Sequence, residues 1–399
     1  MIKLNKLILL NIIISLCIFI IFCGNNNNQK PTNNNNDTSQ KTSNVNNNNP
    51  NNKKNDVIKN DTIKKVEIAK ATDESYISFP DVVKLKDDSL ILIYRYGKSH
   101  AEKTGKIVKR KGSNDGLTWD KEDSVLFDDP VIDDRDPSIA LISDNNLLVN
   151  FFKYQYEPER KIRTYVISSS NNGNTFDKAP GLLVSDDNVA TSSKIIKLEN
   201  NDLLLPVYGT LDGKLSNAGF YRSKDDGKTW GKFEYIAKGD DENLHLQEPD
   251  LLQTKSGRIF SFLRTAKPES AGSLSNSYYT YSDDSGKTWA KMIDMKTMGH
   301  AINSYNIADG KIVLAFRCLD KLEKENIGQV AFMYSDDEGK TWSDMKILYE
   351  TDKDEKYAWD CGYPSITQLA SGKIFVTYYT KHGRTIEASI FEIENLFKK

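Results

Sequence analysis

The sequence predicts an all-β fold, a six-bladed β-propeller. Two repeats predict it. First, an octapeptide returns: Ser-Lys-Asp-Asp-Gly-Lys-Thr-Trp at 223–230, with close copies at 282–289 and 335–342 and looser ones at 112–119 and 169–176. Its aromatic ends, Trp119, Phe176, Trp230, Trp289 and Trp342, are spaced 53 to 59 residues apart, a period that signals a propeller or array. Second, six copies of a strand–turn–strand unit lie between these boxes, beginning near 79, 136, 192, 248, 301 and 363. Composition agrees, since 10% of residues are aromatic and 19 are Tyr, a content suited to sheets and to sugar-binding clefts.

The chain begins with Lys3 and Lys6 ahead of an apolar run from Leu7 to Phe22, the pattern of an export signal and short for a membrane span. Cys23 closes the run and Gly24 follows. Residues 1–23 therefore read as a signal peptide of lipoprotein type, with Cys23 as the lipid attachment site and the membrane as a partner. Phe22 stands where a small residue is usual, so an uncleaved anchor and ordinary secretion are the alternatives. Residues 24–61 are rich in Asn and nearly devoid of apolar side chains, so ordering them would bury too little surface to offset the entropy lost. They read as a tether for a propeller spanning 62–399, at a cell surface or in a periplasm.

Other classes are excluded or unsupported. Net charge is −2 with no basic block, which gives no footprint for nucleic acid. No Cys/His spacing suggests a metal, and no cofactor is implied. Cys318 and Cys361 are the two cysteines beyond the signal, and whether they meet is open.

The box explains itself locally. Ser223 and Asp225 have short side chains able to bond nearby backbone N–H groups, Gly227 accepts positive φ, and Trp230 can fold back onto a sheet. These are folding elements, outside any chemistry. Six units but five boxes leave the last blade one strand short, and the stretch Thr62–Lys70 is expected to supply it and close the ring.

The aligned units give a geometric expectation. The first residue of each defines a slot: Phe79, Asp136, Ser192, Glu248, Ala301 and Tyr363. The residue sixteen on should lie opposite, namely Arg95, Phe152, Tyr208, Arg264, Arg317 and Tyr379. All should sit at one end of the central axis, as the floor of a binding site.

Five such boxes on six blades resemble the sialidase (neuraminidase) superfamily over about residues 63–399. Glu248, with Arg264 sixteen residues on across a Gly turn, is similar to the family's catalytic Glu and one Arg of its carboxylate-binding triad. Gly362-Tyr363-Pro364-Ser365 is similar in spacing to its nucleophilic Tyr motif. The resemblance implies a retaining hydrolysis in which Tyr363 attacks the sugar and Glu248 takes its proton. The sequence also departs from the family. Ser78-Phe79-Pro80 stands where an Arg-Ile-Pro motif is usual, and Asn326–Gln329 where the third Arg is usual. Arg95, Arg317 and Arg135 are the candidates to rebuild the clamp with Arg264. The loop 96–102 lacks the family's acidic Asp; His100 and Glu102 are candidates for proton transfer, with Asp136, His300 and Asp360 as further ones. The resulting expectation is an exported exo-glycosidase removing a terminal acidic sugar, sialic acid foremost, from glycans. Two alternatives stand beside it. One is an enzyme of this fold acting on another glycoside or a uronic acid polymer. The other is a non-catalytic glycan-binding propeller contacting sugar through Tyr363, Arg264 and Trp359.

Overall fold

The computed structural model describes residues 62–398, apart from 179–180, 274, 323–324 and 353–356. The expected signal, Cys23 and the Asn-rich tether lie outside the described residues. Six antiparallel sheets follow one another along the chain, each built outward from its first strand. Five of these first strands are Tyr76–Lys84, Asp133–Ser143, His245–Gln253, Gly299–Asn306 and Gly362–Gln368. The expected closure is present. Lys64–Lys70 pairs with Thr385–Phe391 and becomes the outer strand of the sixth blade.

The third blade departs from the regular unit. Its first strand is split into Val189–Ala190 and Ile196–Lys197, both paired to Leu203–Gly209. Pro206 in that partner strand has no N–H to donate to the ladder. Its carbonyl instead accepts from Thr191 Oγ1 (2.8 Å).

Each seam between neighbouring blades is a separate apolar core, and the boxes close five of them. Trp119, Phe176, Trp230, Trp289 and Trp342 each pack into the seam with the preceding blade. The box turn works as its residue types suggest. Ser223 Oγ accepts from Gly227 N (2.9 Å), and Asp225 Oδ1 accepts from Thr229 N (2.9 Å). Gly227 is needed twice over, because φ is +86° and a Cβ would lie 2.7 Å from Leu148 of the preceding blade. The seam without a box, between the fifth and sixth blades, is covered by the short helix Ile393–Leu396 and by Phe397, whose ring meets Tyr334 at 4.8 Å.

The slots hold the structure's main irregularity. In five blades the first strand carries a β-bulge at the slot. Phe79, Asp136, Glu248, Ala301 and Tyr363 all have φ between +47° and +56°. The extra residue corrects the expected register by one. Arg95, Phe152, Arg264 and Arg317 pair with the residue before the slot, and Tyr379 with Gly362. Each left-handed non-glycine residue costs roughly 1–3 kcal/mol, so the surroundings must hold it.

What holds it is a set of hydrogen bonds across four of the six seams, two and three residues beyond the slots. Asp81 Oδ2 accepts from Ile139 N of the next blade (2.7 Å), and Asp250 Oδ2 from Ser304 N (2.8 Å). Asn303 Oδ1 accepts from Ile366 N (2.9 Å), and Ser365 Oγ from Val82 N (3.1 Å), which carries the lacing from the last blade back to the first. Replacing Asn303 with Ala strands the buried Ile366 N–H. It is expected to cost about 1–3 kcal/mol in urea unfolding of the whole chain, whereas a loss below about 0.5 kcal/mol would remove Asn303 from this support.

Candidate active site

The left-handed slots turn side chains toward the axis, where a small cavity of about 30 Å³ is lined by Phe79, Asp136, Ser192, Ala301 and Tyr363 with their following residues. The sixth slot residue, Glu248, is buried beside them and organises the chemistry. Its Oε1 accepts from Tyr363 Oη (2.7 Å) and from Arg264 Nη1 (2.7 Å). Its Oε2 accepts from Ala301 N (3.1 Å), the backbone of the next slot. The carboxylate is thus fixed from three directions.

Burial pushes the Tyr363 phenol well above its ordinary value, and the negative charge of Glu248 adds to this; Arg264 and Arg317 oppose it. A free phenolate is therefore disfavoured. Tyr363 can act as a nucleophile only by passing its proton to Glu248 as it attacks, and the 2.7 Å contact provides that path.

Three guanidinium groups surround this pair. Arg264 bonds Glu248. Arg317 lies over the Tyr363 ring, with Cζ 5.8 Å from the centroid. Arg135 stacks between Phe79 (5.8 Å) and Phe152 (5.6 Å). The Nε–H groups of Arg135 and Arg317 are buried and have no hydrogen-bond partner among the described residues. Arg317 Nη2 donates to His300 Nδ1 (3.1 Å). Burial, then the charges of Arg264 and Arg317, hold His300 well below its ordinary value, so it is a neutral ring. Arg95 is differently used. Its Nε and Nη2 both bond Asp133 Oδ1 (2.9 and 2.8 Å), and its Nη1 donates to Ser99 O (2.9 Å), which fastens the loop carrying His100. Glu102 approaches the same guanidinium at 3.7 Å.

Asp136 faces the cavity with Oδ1 unpartnered among the described residues and Arg135 Nε 3.9 Å away. Burial pushes its carboxyl up to about 7; Arg135 opposes the shift and Glu248 adds to it. His100 lies beside the slots, edge-on to Phe79 at 5.4 Å, and Asp360 lies behind it. Repeat alignment gave no hint of a further residue here, His382, which contacts Asp360 from the turn after Ile374–Thr380. No other unit carries a His at that offset. Cys318 and Cys361 form no disulfide. Cys318 packs with Phe260, Phe262 and Phe316 in the seam toward the fourth blade, while Cys361 belongs to the sixth. Among the described residues no group of three His, Cys, Asp or Glu side chains is arranged to hold a metal ion.

The raised carboxyl of Asp136 has a stability consequence. Between about pH 4 and 7 the folded chain holds a proton there that the unfolded chain releases, so this contribution is present at low pH and lost as pH rises through 7. Asp136→Asn cannot ionise. Its stability relative to the parent is expected to improve by about 2–3 kcal/mol between pH 5 and 8 in urea unfolding, and a pH-independent difference would contradict a protonated Asp136.

Comparisons with known proteins agree with this architecture. A family model described as BNR repeat-like domain matches residues 136–376. Among curated proteins, none matches the chain. A crystal structure of a protein of unknown function from Dyadobacter fermentans superposes with a TM-score of 0.70 at 21% identity, covering 83% of this chain and 99% of that one. A Hadza microbial sialidase gives a TM-score of 0.63 at 16% identity, covering 79% of this chain and 65% of that one. The Trypanosoma rangeli sialidase in complex with the inhibitor DANA gives 0.58 at 13% identity, covering 82% and 59%. This chain therefore spans less than two thirds of those two sialidases, and at such identities the likeness is one of fold. With its family model matched over more than half its length, the chain belongs to the BNR repeat-like domain family, and its blades superpose on those of sialidase propellers.

Proposed function

We propose that the chain is an exported glycoside hydrolase that removes a terminal acidic sugar, sialic acid foremost, with retention of configuration. The observation carrying this reading is the Tyr363–Glu248 hydrogen bond, set among three arginines of which two keep inward N–H groups unspent. Arg135, Arg264 and Arg317 supply the charge and planar donors that a sugar carboxylate requires. Tyr363 Oη attacks the anomeric carbon while Glu248 Oε1 takes its proton and the glycosidic carbon–oxygen bond breaks, the leaving oxygen accepting a proton from a separate acid. A neutral phenol approaches an anionic sugar without the repulsion a carboxylate nucleophile would meet. Water then bonds to the anomeric carbon and gives a proton to that same separate group, the glycosyl–tyrosine bond breaks, and Glu248 returns the first proton to Tyr363. Residues 1–23, with Cys23 as lipid attachment site, and the 24–61 tether would hold the propeller at a membrane surface facing its glycan substrates.

The departures from the family pattern favour a second reading, an enzyme of the same fold acting on another glycoside or a uronic acid polymer. Ser78 takes the place of an expected arginine, and Arg95 is held by Asp133. Turnover of 4-methylumbelliferyl sialoside by the purified chain, lowered roughly 10²- to 10⁴-fold in kcat by Tyr363→Phe and by Glu248→Gln, is the expected result. Turnover confined to a uronide or neutral glycoside would move the substrate to the second reading. Glycan binding without turnover would make the propeller a lectin.

A further inference from the structure

Beside the Tyr363–Glu248 pair lies a second cluster of ionisable groups that the mechanism above does not use. Asp360 is fully buried, whereas the side chains of His100 and His382 on either side are 33% and 39% exposed. His382 Nδ1 lies 2.5 Å from Asp360 Oδ2. His100 Nδ1 lies 3.4 Å from Asp360 Oδ1 and 3.0 Å from Tyr76 Oη. Tyr76 and Tyr379 donate their hydroxyls to the same carboxylate (2.9 and 2.7 Å). Each imidazole is therefore engaged through Nδ1, leaving Nε2 outward. The cluster adjoins the cavity, because Phe79 touches both the His100 ring (5.4 Å) and the Tyr363 ring (4.7 Å). His382 is on the far side, stacked on Tyr357 at 4.5 Å.

We propose that His100, Asp360 and His382 form a proton-handling unit on the rim of the pocket, in which Asp360 is a counter-ion shared by two imidazoles. His100 exchanges the proton with the leaving group, and His382 sets how readily it does so. This role rests on the retaining hydrolysis proposed above. In the first step imidazolium His100 gives its Nε2 proton to the glycosidic oxygen as the carbon–oxygen bond breaks, so the leaving group departs as an alcohol. In the second, neutral His100 Nε2 takes a proton from the water that attacks the glycosyl–tyrosine bond. Asp360 and Tyr76 keep the Nδ1 proton in place throughout, so Asp360 is a positioning residue.

The charges facing His100 set its titration. Burial lowers its pKa, Asp360 raises it, and Arg135 and Arg95 lower it further. Glu102 in the same loop is paired with Arg95. Burial opposes the charge on Asp360, but hydrogen bonds from His100, His382 and Tyr379 hold it well below the usual carboxylate range. Both imidazoles thus face the one carboxylate of Asp360 through Nδ1.

The chain has four His, which makes ¹⁵N-histidine NMR of the whole protein tractable. The expected result is that His100 and His382 both carry the Nδ1 proton when neutral. His382→Gln should raise the His100 midpoint, and Asp360→Asn should lower it. An unchanged His100 midpoint in His382→Gln overturns the shared counter-ion, and the exposure of His382 makes that variant the one least prone to misfold. In turnover, His100→Gln is expected to lower kcat/KM about 10²-fold on a sialyl-lactose but less than about 10-fold on a 4-nitrophenyl sialoside, whose leaving group needs no acid. Equal losses on both overturn the acid role. Absence of turnover by the parent chain on every acidic glycoside defeats the hydrolase reading and the catalytic role with it, while the NMR titration still decides the shared carboxylate.

Discussion

A backbone constraint underlies the site: five first strands each admit an extra residue with φ near +50° at the same height along the axis. A regular strand would send alternate side chains into the seams between blades. The left-handed residue breaks that alternation and turns Phe79, Asp136, Glu248, Ala301 and Tyr363 toward one another. The conformation is costly in isolation. It persists because the side chains of Asp81, Asp250, Asn303 and Ser365 lace four of the five bulges to the next blade, just below the slots. Fold and site are thus one device, with strain at the rim and hydrogen bonds beneath it.

Within that frame one carboxylate connects the functional groups. Glu248 Oε1 accepts from both Arg264 and Tyr363, so under the proposed mechanism the group that takes the phenol proton would also anchor one arginine of the proposed clamp. The stacking of Arg135 between Phe79 and Phe152 places a cation near the position left without one by Ser78.

Much of this was legible in the sequence. The boxes and units carry fixed spacing, so blade number and the closing strand Lys64–Lys70 followed directly. Glu248, Arg264 and Tyr363 were legible because the units align to single residues, and the structure brings all three together. The exact register was not legible. A bulge adds one residue without altering the repeat length, so Arg264 pairs with Gln247 where Glu248 was expected. Arg95 was grouped with the clamp, but its partner Asp133 lies in the next blade, beyond the reach of spacing within one unit. His382 sits in a turn with no counterpart in other blades, and its partner Asp360 comes from the loop before the sixth slot.

In the proposed mechanism Tyr363 is the residue that becomes glycosylated. Its most direct test is trapping with 2,3-difluorosialic acid followed by mass spectrometry of the intact chain and its peptides. The account predicts a single added glycosyl group, located on the peptide containing Tyr363 and absent from Tyr363→Phe. An adduct on any other residue, or none from a preparation that turns over sialosides, would contradict it.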